Sequence, residues 1–227
     1  MNIAILGAMP EEIDPLLEVF DTQKIDHANN TFYIAKTDKH NLIIVYSKIG
    51  KVNSALTATI VIEKFGAEIL LFTGVAGALK EGLKIGDILY ASSVVQHDLD
   101  ITAFGHPHGF VPGSPIFVET DKRLNDIAIK TAKSMDLNIC SGIIASGDQF
   151  INSKEPKEWI RDTFDASAAE MEGASVAQVC YALNIPFFLM RSISDEASQS
   201  AEFDFDKFMI ESAKKSANFI LKMIENL

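Results

Sequence analysis

A single α/β domain is what this sequence predicts, and three observations predict it. Short β-branched apolar runs alternate with segments whose apolar residues recur at helical spacing. A chain of 227 residues with 48% hydrophobic content is long enough to bury one sizeable core. Small-residue turns follow one strand-like run after another, as in open α/β sheets that collect a ligand at the carboxyl ends of their strands.

Composition narrows the function. The formal net charge is -11 and the basic residues form no stripe, so neither a nucleic-acid footprint nor a polybasic membrane patch is visible, and a small-molecule partner is expected. No apolar run is long enough to cross a bilayer, and the opening Met1-Asn2-Ile3-Ala4-Ile5-Leu6-Gly7 lacks the features of a signal peptide, so a cytoplasmic location is expected. Cys140 and Cys180 lie far apart in apolar segments and read as two reduced core thiols.

Asn2 to Leu6 is a short strand that ends at Gly7, and Pro10 suits the first turn of a helix running to Phe20. Glu11 and Glu12 fall in that first turn. Either can complement the helix dipole, which is the plainer reading for Glu11, whereas Glu12 is a candidate to face a ligand. Thr31 to Thr37 and Asn41 to Tyr46, around Asp38-Lys39-His40, read as a hairpin. A helix follows from Val52 to Phe65, Gly66 stops it, and Ile69 to Phe72 is a buried strand. Thr73-Gly74-Val75-Ala76-Gly77-Ala78 reads as a small-residue turn through which backbone amides can approach a ligand. It is no dinucleotide fingerprint, since no G-x-G-x-x-G occurs, and no cofactor is expected.

Asp87 to Gln96 is a strand leading into His97-Asp98-Leu99-Asp100 and a long loop with Phe104, His106, His108, Phe110 and Pro112. Histidines and aspartates invite a metal reading, but neither a second cluster nor a helical i, i+4 pair accompanies them, and no metal is expected. The aromatics suggest a subunit contact or a ligand cover. Asp121 to Met135 is an amphipathic helix, Ile139 to Ala145 a strand, and Ser146-Gly147-Asp148-Gln149-Phe150-Ile151 a turn whose Phe150 can either stack on a flat base or join the core. Lys154 to Phe164 is a helix.

Glu170-Met171-Glu172 precedes a helix starting near Gly173. In an extended segment the two acids share a side and can grip a vicinal diol, which points toward a sugar; equally, they can cap the helix. Ile185 to Met190 is an apolar strand ending in Arg191-Ser192-Ile193-Ser194-Asp195, where Asp195 can carry a proton to a base nitrogen or begin a helix. Ala197 to Glu202 reads as a mobile polar link, and Phe203 to Ile224 as a closing helix whose Phe205 can shut a pocket. Gathered at one sheet edge, these turns supply an aromatic platform and an acid for a base, acids for a ribose, and a separate Glu12. That is an inventory for cleaving an N-glycosidic bond. No Gly-rich turn carries the arginine or lysine a phosphorolytic enzyme would aim at its anion, so water is the better nucleophile.

At these residues the chain resembles the 5'-methylthioadenosine/S-adenosylhomocysteine nucleosidases of the nucleoside phosphorylase/hydrolase superfamily. The matching stretches are Gly7 to Glu12, Ser47 to Lys51, Thr73 to Gly77, Ser146 to Ile151, Ala169 to Glu172 and Arg191 to Asp195, spread over essentially the whole chain. The resemblance implies a mixed central sheet flanked by helices, and a homodimer in which the Ile101 to Pro112 loop completes the partner's pocket. It makes Asp195 the acid that protonates adenine N7, with Ser194 positioning it. Phe150 becomes the purine-stacking residue, and Ile151 reads adenine through its backbone. Glu172 binds the ribose hydroxyls beside Met171, Arg191 stands near the ribose and the acids, and Glu12 activates water. Met9, Ile49 and Phe205 line the alkylthio end, joined by Ile101, Phe104 and Pro112 of the other subunit, while Val75 and Gly77 belong to the turn beside the sugar. Where many family members carry serine this chain has Val75, so a polar contact there is either missing or supplied by backbone.

The wording at Tyr46 to Lys51, Gly74 to Gly77, Gln96 to Asp98 and Gly173 to Ala177 resembles the branch from bacteria that make menaquinone through futalosine, which implies 6-amino-6-deoxyfutalosine hydrolysis beside methionine salvage. A phosphorylase, a silent nucleoside-binding protein and a dinucleotide-dependent oxidoreductase are the rival readings, in that order.

Overall fold

The computed structural model describes residues 1–197 and 201–227, with side chains in the second stretch at 205 and from 207 onward. In chain order the elements are β1 (Asn2–Gly7), α1 (Pro10–Leu17), β2 (Gln23–His27), β3 (Asn30–Lys36), β4 (Asn41–Tyr46), α2 (Lys51–Glu63), β5 (Ile69–Phe72), β6 (Val75–Ala78), β7 (Ile88–Gln96), β8 (Val118–Glu119), α3 (Lys122–Ser134), β9 (Ile139–Ser146), α4 (Lys154–Phe164), β10 (Ala166–Glu170), α5 (Gly173–Leu183), β11 (Phe187–Asp195) and α6 (Ala201–Glu225). The segmentation expected from periodicity holds for most of these. The polar strand β2 went unread because four of its five residues are exposed, and charged or polar side chains are what an edge strand carries.

The strands form one mixed sheet in the order β2-β3-β4-β1-β5-β11-β6-β10-β9-β7-β8. β1, β4, β5 and β11 run parallel, as do β9 with β10 and β7, while β2 and β3 return antiparallel at one edge. β11 organises the whole. Its residues 187–189 pair with β5, 190–192 antiparallel with β7, and 192–195 with β6, so the distal half of the sheet curls back on itself. Every residue of β11 is buried, which explains why sequence periodicity stopped at Met190. The strand runs on through Arg191-Ser192-Ile193-Ser194-Asp195 because each polar group there lies inside the protein rather than in a turn. Val75 to Ala78 is likewise strand rather than turn, small side chains allowing it to fit between β11 and β10.

Two apolar layers sandwich the sheet. One face packs under α2 and α5, through Ala58, Val61, Ala174, Ala177 and Cys180. The other packs under α1, α3 and α6, through Ile13, Leu16, Leu124, Ala128, Phe219 and Met223. A third cluster, around Ile160 and Phe164 of α4, covers the distal end. Asp121 caps α3 by accepting the Leu124 N–H at 2.9 Å. Of the two cysteines expected in the core, Cys180 is buried but Cys140 is exposed, because the first residues of β9 are open on both faces and only its last three are buried. The link expected at Ala197 to Glu202 lies partly outside the described residues, and α6 takes in its last two positions. No described helix is long and apolar enough to cross a membrane.

Phe188, the second residue of β11, stacks on Tyr90 at 6.5 Å between centroids and is fully buried. Phe188→Ala is expected to cost about 3–5 kcal/mol, measured by urea unfolding, because no neighbouring element can collapse into the space without breaking a strand ladder.

Candidate active site

The carboxyl ends of β1, β5, β9, β10 and β11 converge on one cavity of about 570 Å³. Of the residues singled out from sequence, Met9, Glu12, Ile49, Val75, Gly77, Phe150, Met171, Glu172, Ser194, Asp195 and Phe205 all line it. Ile151 lines an adjoining recess shared with Phe150, Met171 and Asp195. Among the described lining residues none is lysine or arginine.

Glu12 owes its position to the start of α1. Met9 is the N-cap and Pro10 the first helical residue, so Glu12 is the third and its side chain reaches back, accepting the Met9 N–H at 3.1 Å and the Ala8 N–H at 2.5 Å. The other carboxylate oxygen accepts the Val75 N–H at 3.1 Å. Backbone therefore supplies the polar contact at Val75. Gly74, at φ +154°, permits the approach, since a Cβ there would lie 2.6 Å from Glu12 Oε1. Glu12 is only 3% exposed; burial raises its pKa above the ordinary value, against the Arg191 charge and the three N–H donors, which lower it. Capping and facing the cavity are thus one arrangement.

Both acids of the Glu170-Met171-Glu172 segment line the cavity, but they have different partners. β10 ends at Glu170, and the chain turns into α5 with Glu172 as its N-cap. Glu170 lines the cavity too, but its carboxylate is engaged: it pairs with Arg191 Nη2 at 2.6 Å, accepts the Ser146 hydroxyl, and accepts the Gly173 N–H at 2.8 Å. It is the helix cap. Glu172 faces the cavity, and its Oε1 accepts the Gly50 N–H at 2.9 Å. Burial and the neighbouring Glu170 charge push Glu172 up to about 8, against the Gly50 N–H and Arg191.

Arg191 itself does not line the cavity. It is 1% exposed, packs 4.3 Å from the Phe72 ring centroid and donates to the Met190 carbonyl at 3.1 Å. It acts on the site as a buried counter-charge, because its guanidinium is already spent on Glu170. Sequence reasoning assigned no role to Ser146, which donates to Glu170 and accepts the Ala174 N–H at 2.7 Å, nor to the Gly50 N–H. The glycine and hydroxyl in the quoted motifs were the only signal for either.

Asp195 closes β11 and is 2% exposed. It accepts the Ser194 hydroxyl at 2.9 Å and the Ala197 N–H at 2.8 Å, and a Cβ on Gly77 would lie 2.7 Å from its Oδ1, so glycine at 77 leaves room for the acid. Phe150 remains 42% exposed and meets Phe205 edge to face at 5.7 Å, leaving a ring face for a flat ligand. Ile101, Phe104 and Pro112 do not line this chain's own cavity; Phe104, on a single 3-10 turn, is 81% exposed.

A strand-end cavity lined by an exposed aromatic ring and by buried acids from α1, the start of α5 and the end of β11 is the kind of site an enzyme that handles nucleosides needs. The chain matches the Phosphorylase superfamily over residues 2–225. It is 60% identical to the aminodeoxyfutalosine nucleosidase of Campylobacter jejuni, with the whole of both chains covered. The crystal structure of Campylobacter jejuni 5'-methylthioadenosine/S-adenosylhomocysteine nucleosidase superposes with a TM-score of 0.96 at 60% identity, covering 100% of each chain. That of Helicobacter pylori futalosine hydrolase superposes with a TM-score of 0.99 at 48% identity, covering 100% of this chain and 98% of the other. The chain therefore belongs to the 5'-methylthioadenosine/S-adenosylhomocysteine nucleosidase family, in its aminodeoxyfutalosine nucleosidase branch, whose members are hydrolases acting on N-glycosyl bonds.

Two outcomes follow from the buried charges. Arg191→Met leaves the buried Glu170 without its counter-charge and is expected to cost about 3–5 kcal/mol in urea unfolding, much of it regained in the Arg191→Met/Glu170→Gln double variant. Because folding raises the Glu172 pKa from 4.5 to about 8, the folded chain holds a proton that the unfolded chain releases, so stability falls as pH rises through that window. Glu172→Gln is expected to flatten the fall in melting temperature between those pH values.

Proposed function

We propose that this chain hydrolyses the N-glycosidic bond of 5'-methylthioadenosine, S-adenosylhomocysteine, 5'-deoxyadenosine and 6-amino-6-deoxyfutalosine, releasing adenine. The observation that carries the reading is the placement of Glu12 and Asp195 in one cavity, pressed against the two ends of the Gly74 to Gly77 backbone.

Asp195, steadied by Ser194, protonates adenine N7 and so stabilises the leaving base. The C1'–N9 bond breaks with oxocarbenium character, and water held by Glu12 adds from the other face, giving up its proton to that carboxylate. Glu172 holds the ribose hydroxyls in either protonation state, since a carboxyl group offers acceptors in both. Phe150 stacks on the purine, Ile151 reads its edge through backbone, and Met9, Ile49 and Phe205 receive the 5' substituent. Ile101, Phe104 and Pro112 act in a homodimer, where the loop carrying them completes the partner's pocket; the exposure of Phe104 supports this.

Adenine release from 5'-methylthioadenosine in phosphate-free buffer is the test. Wild type is expected to release it, and Asp195→Asn and Glu12→Gln to lower kcat by about 10²- to 10⁴-fold at matched folding. A strict requirement for phosphate would replace hydrolysis by phosphorolysis, against which the want of lysine and arginine among the described lining residues speaks. Since Glu12 must be ionised to take the water's proton and burial raises its pKa, kcat/KM is expected to fall on the acid side through a value above 4.5.

A further inference from the structure

The stretch after β7, with its crowd of histidines and aspartates, finds no use in the chemistry above. Asp98 stands there two residues past the strand end. Its Oδ1 meets the Lys51 ammonium at 2.5 Å and its Oδ2 accepts the Asp148 N–H at 2.9 Å. Lys51 is the first residue of α2, and its own N–H donates to Asp148 Oδ1 at 2.8 Å while its Nζ also donates to Gln96 Oε1 at 3.2 Å. Three residues from three parts of the chain thus close a circuit. The Lys51 and Asp98 side chains are each 17% exposed, shielded enough to be more than a surface pair. Burial raises the Asp98 pKa, but the bonds from Lys51 and the Asp148 N–H outweigh it and hold the carboxyl below its ordinary range.

The circuit sits at a helix start that lacks a side-chain cap of its own. Gly50 is the N-cap, at φ +95°, and its N–H goes to Glu172 Oε1. The first two N–H groups at this end are therefore taken by carboxylates 122 and 97 residues away in sequence, Glu172 and Asp148. One of those carboxylates is the proposed ribose ligand. The other begins the turn that carries Phe150. His97 packs against the same turn, leaving no room for a side chain at Gly147, where a Cβ would come within 2.3 Å of its Nε2.

We propose that Lys51, Asp98 and Asp148 are positioning residues that clamp the Phe150 turn and Glu172 to the N-terminus of α2, so that the base and sugar subsites are held in one fixed relation. This rests on the reading of the cavity under Proposed function. None of the three lines the cavity, so the clamp acts through Phe150 and Glu172 alone.

Asp98→Asn and Asp148→Asn keep the shape of the side chains and remove the charge. Each is expected to raise KM for 5'-methylthioadenosine about tenfold or more with kcat within about threefold, the pattern of lost ground-state positioning. The double variant is expected to cost no more than the worse single one, because either change opens the same circuit. Lys51→Arg is expected to keep more of the wild-type KM than Lys51→Met. Should Lys51→Met fail to fold, the two isosteric aspartate variants decide. Variants with wild-type KM, or with lowered kcat at unchanged KM, would overturn the clamp. Adenine alone, titrated calorimetrically, separates this from the hydrolytic reading. Its Kd is expected to rise in Asp148→Asn whether or not the chain turns over, and an unchanged Kd counts against the clamp, whereas a wild type that releases no adenine counts against hydrolysis only.

Discussion

Everything at the carboxyl edge of the sheet depends on the buried pair between Arg191 and Glu170. Four carboxylates, Glu12, Glu170, Glu172 and Asp195, are nearly removed from water within one region, and a single buried guanidinium answers them. Desolvating so much negative charge is costly unless some of it is paired, hydrogen-bonded or protonated. The structure uses all three devices. Glu170 is paired, Glu12 is held by three backbone N–H groups, and Glu172 takes a raised pKa. Burial dominates at both Glu12 and Glu172 and raises their pKa values, and the Arg191 charge opposes that rise at each.

The same economy shows in the helix ends. Glu12 satisfies the first N–H groups of its own helix, Glu170 those of α5, and Glu172 the N-cap amide of α2. Capping and ligand binding compete as explanations only when a residue is read alone. In the folded chain a carboxylate at a strand-to-helix turn has two oxygens and several lone pairs, and can satisfy backbone while presenting an edge to the cavity. Glycines at 74 and 77 make this possible by leaving no side chain where those oxygens lie.

Much of this was legible in sequence. Apolar runs located β5, β7, β9 and α4, and residue chemistry at the turns picked out most of the cavity lining. What escaped has physical reasons. Arg191 to Asp195 looks like a turn because its residues are polar, yet it is strand, since buried polar groups are admitted wherever partners from other strands wait for them. Spacing of two put Glu170 and Glu172 on one side and both do line the cavity, but which of them is left for a ligand is decided by Arg191 on another strand, which takes Glu170. Cys140 looked like core because its neighbours are apolar, but how far along β9 the burial reaches is set by elements distant in sequence, and it takes in only the strand's last three residues.

The sharing of β11 among three neighbours has a consequence for register. A strand pinned on one side can slip by one residue, exchanging the face on which every side chain lies. Here such a slip would have to break the ladders to β5, β6 and β7 together, and it would carry Asp195 away from Gly77 and Arg191 away from Glu170 in the same step. The acid at the end of the strand is thereby placed by the closure of the sheet itself. A pairing that misplaced Asp195 would thus have to give up ladders on three strands, so the constraint that fixes the sheet's register also fixes the acid.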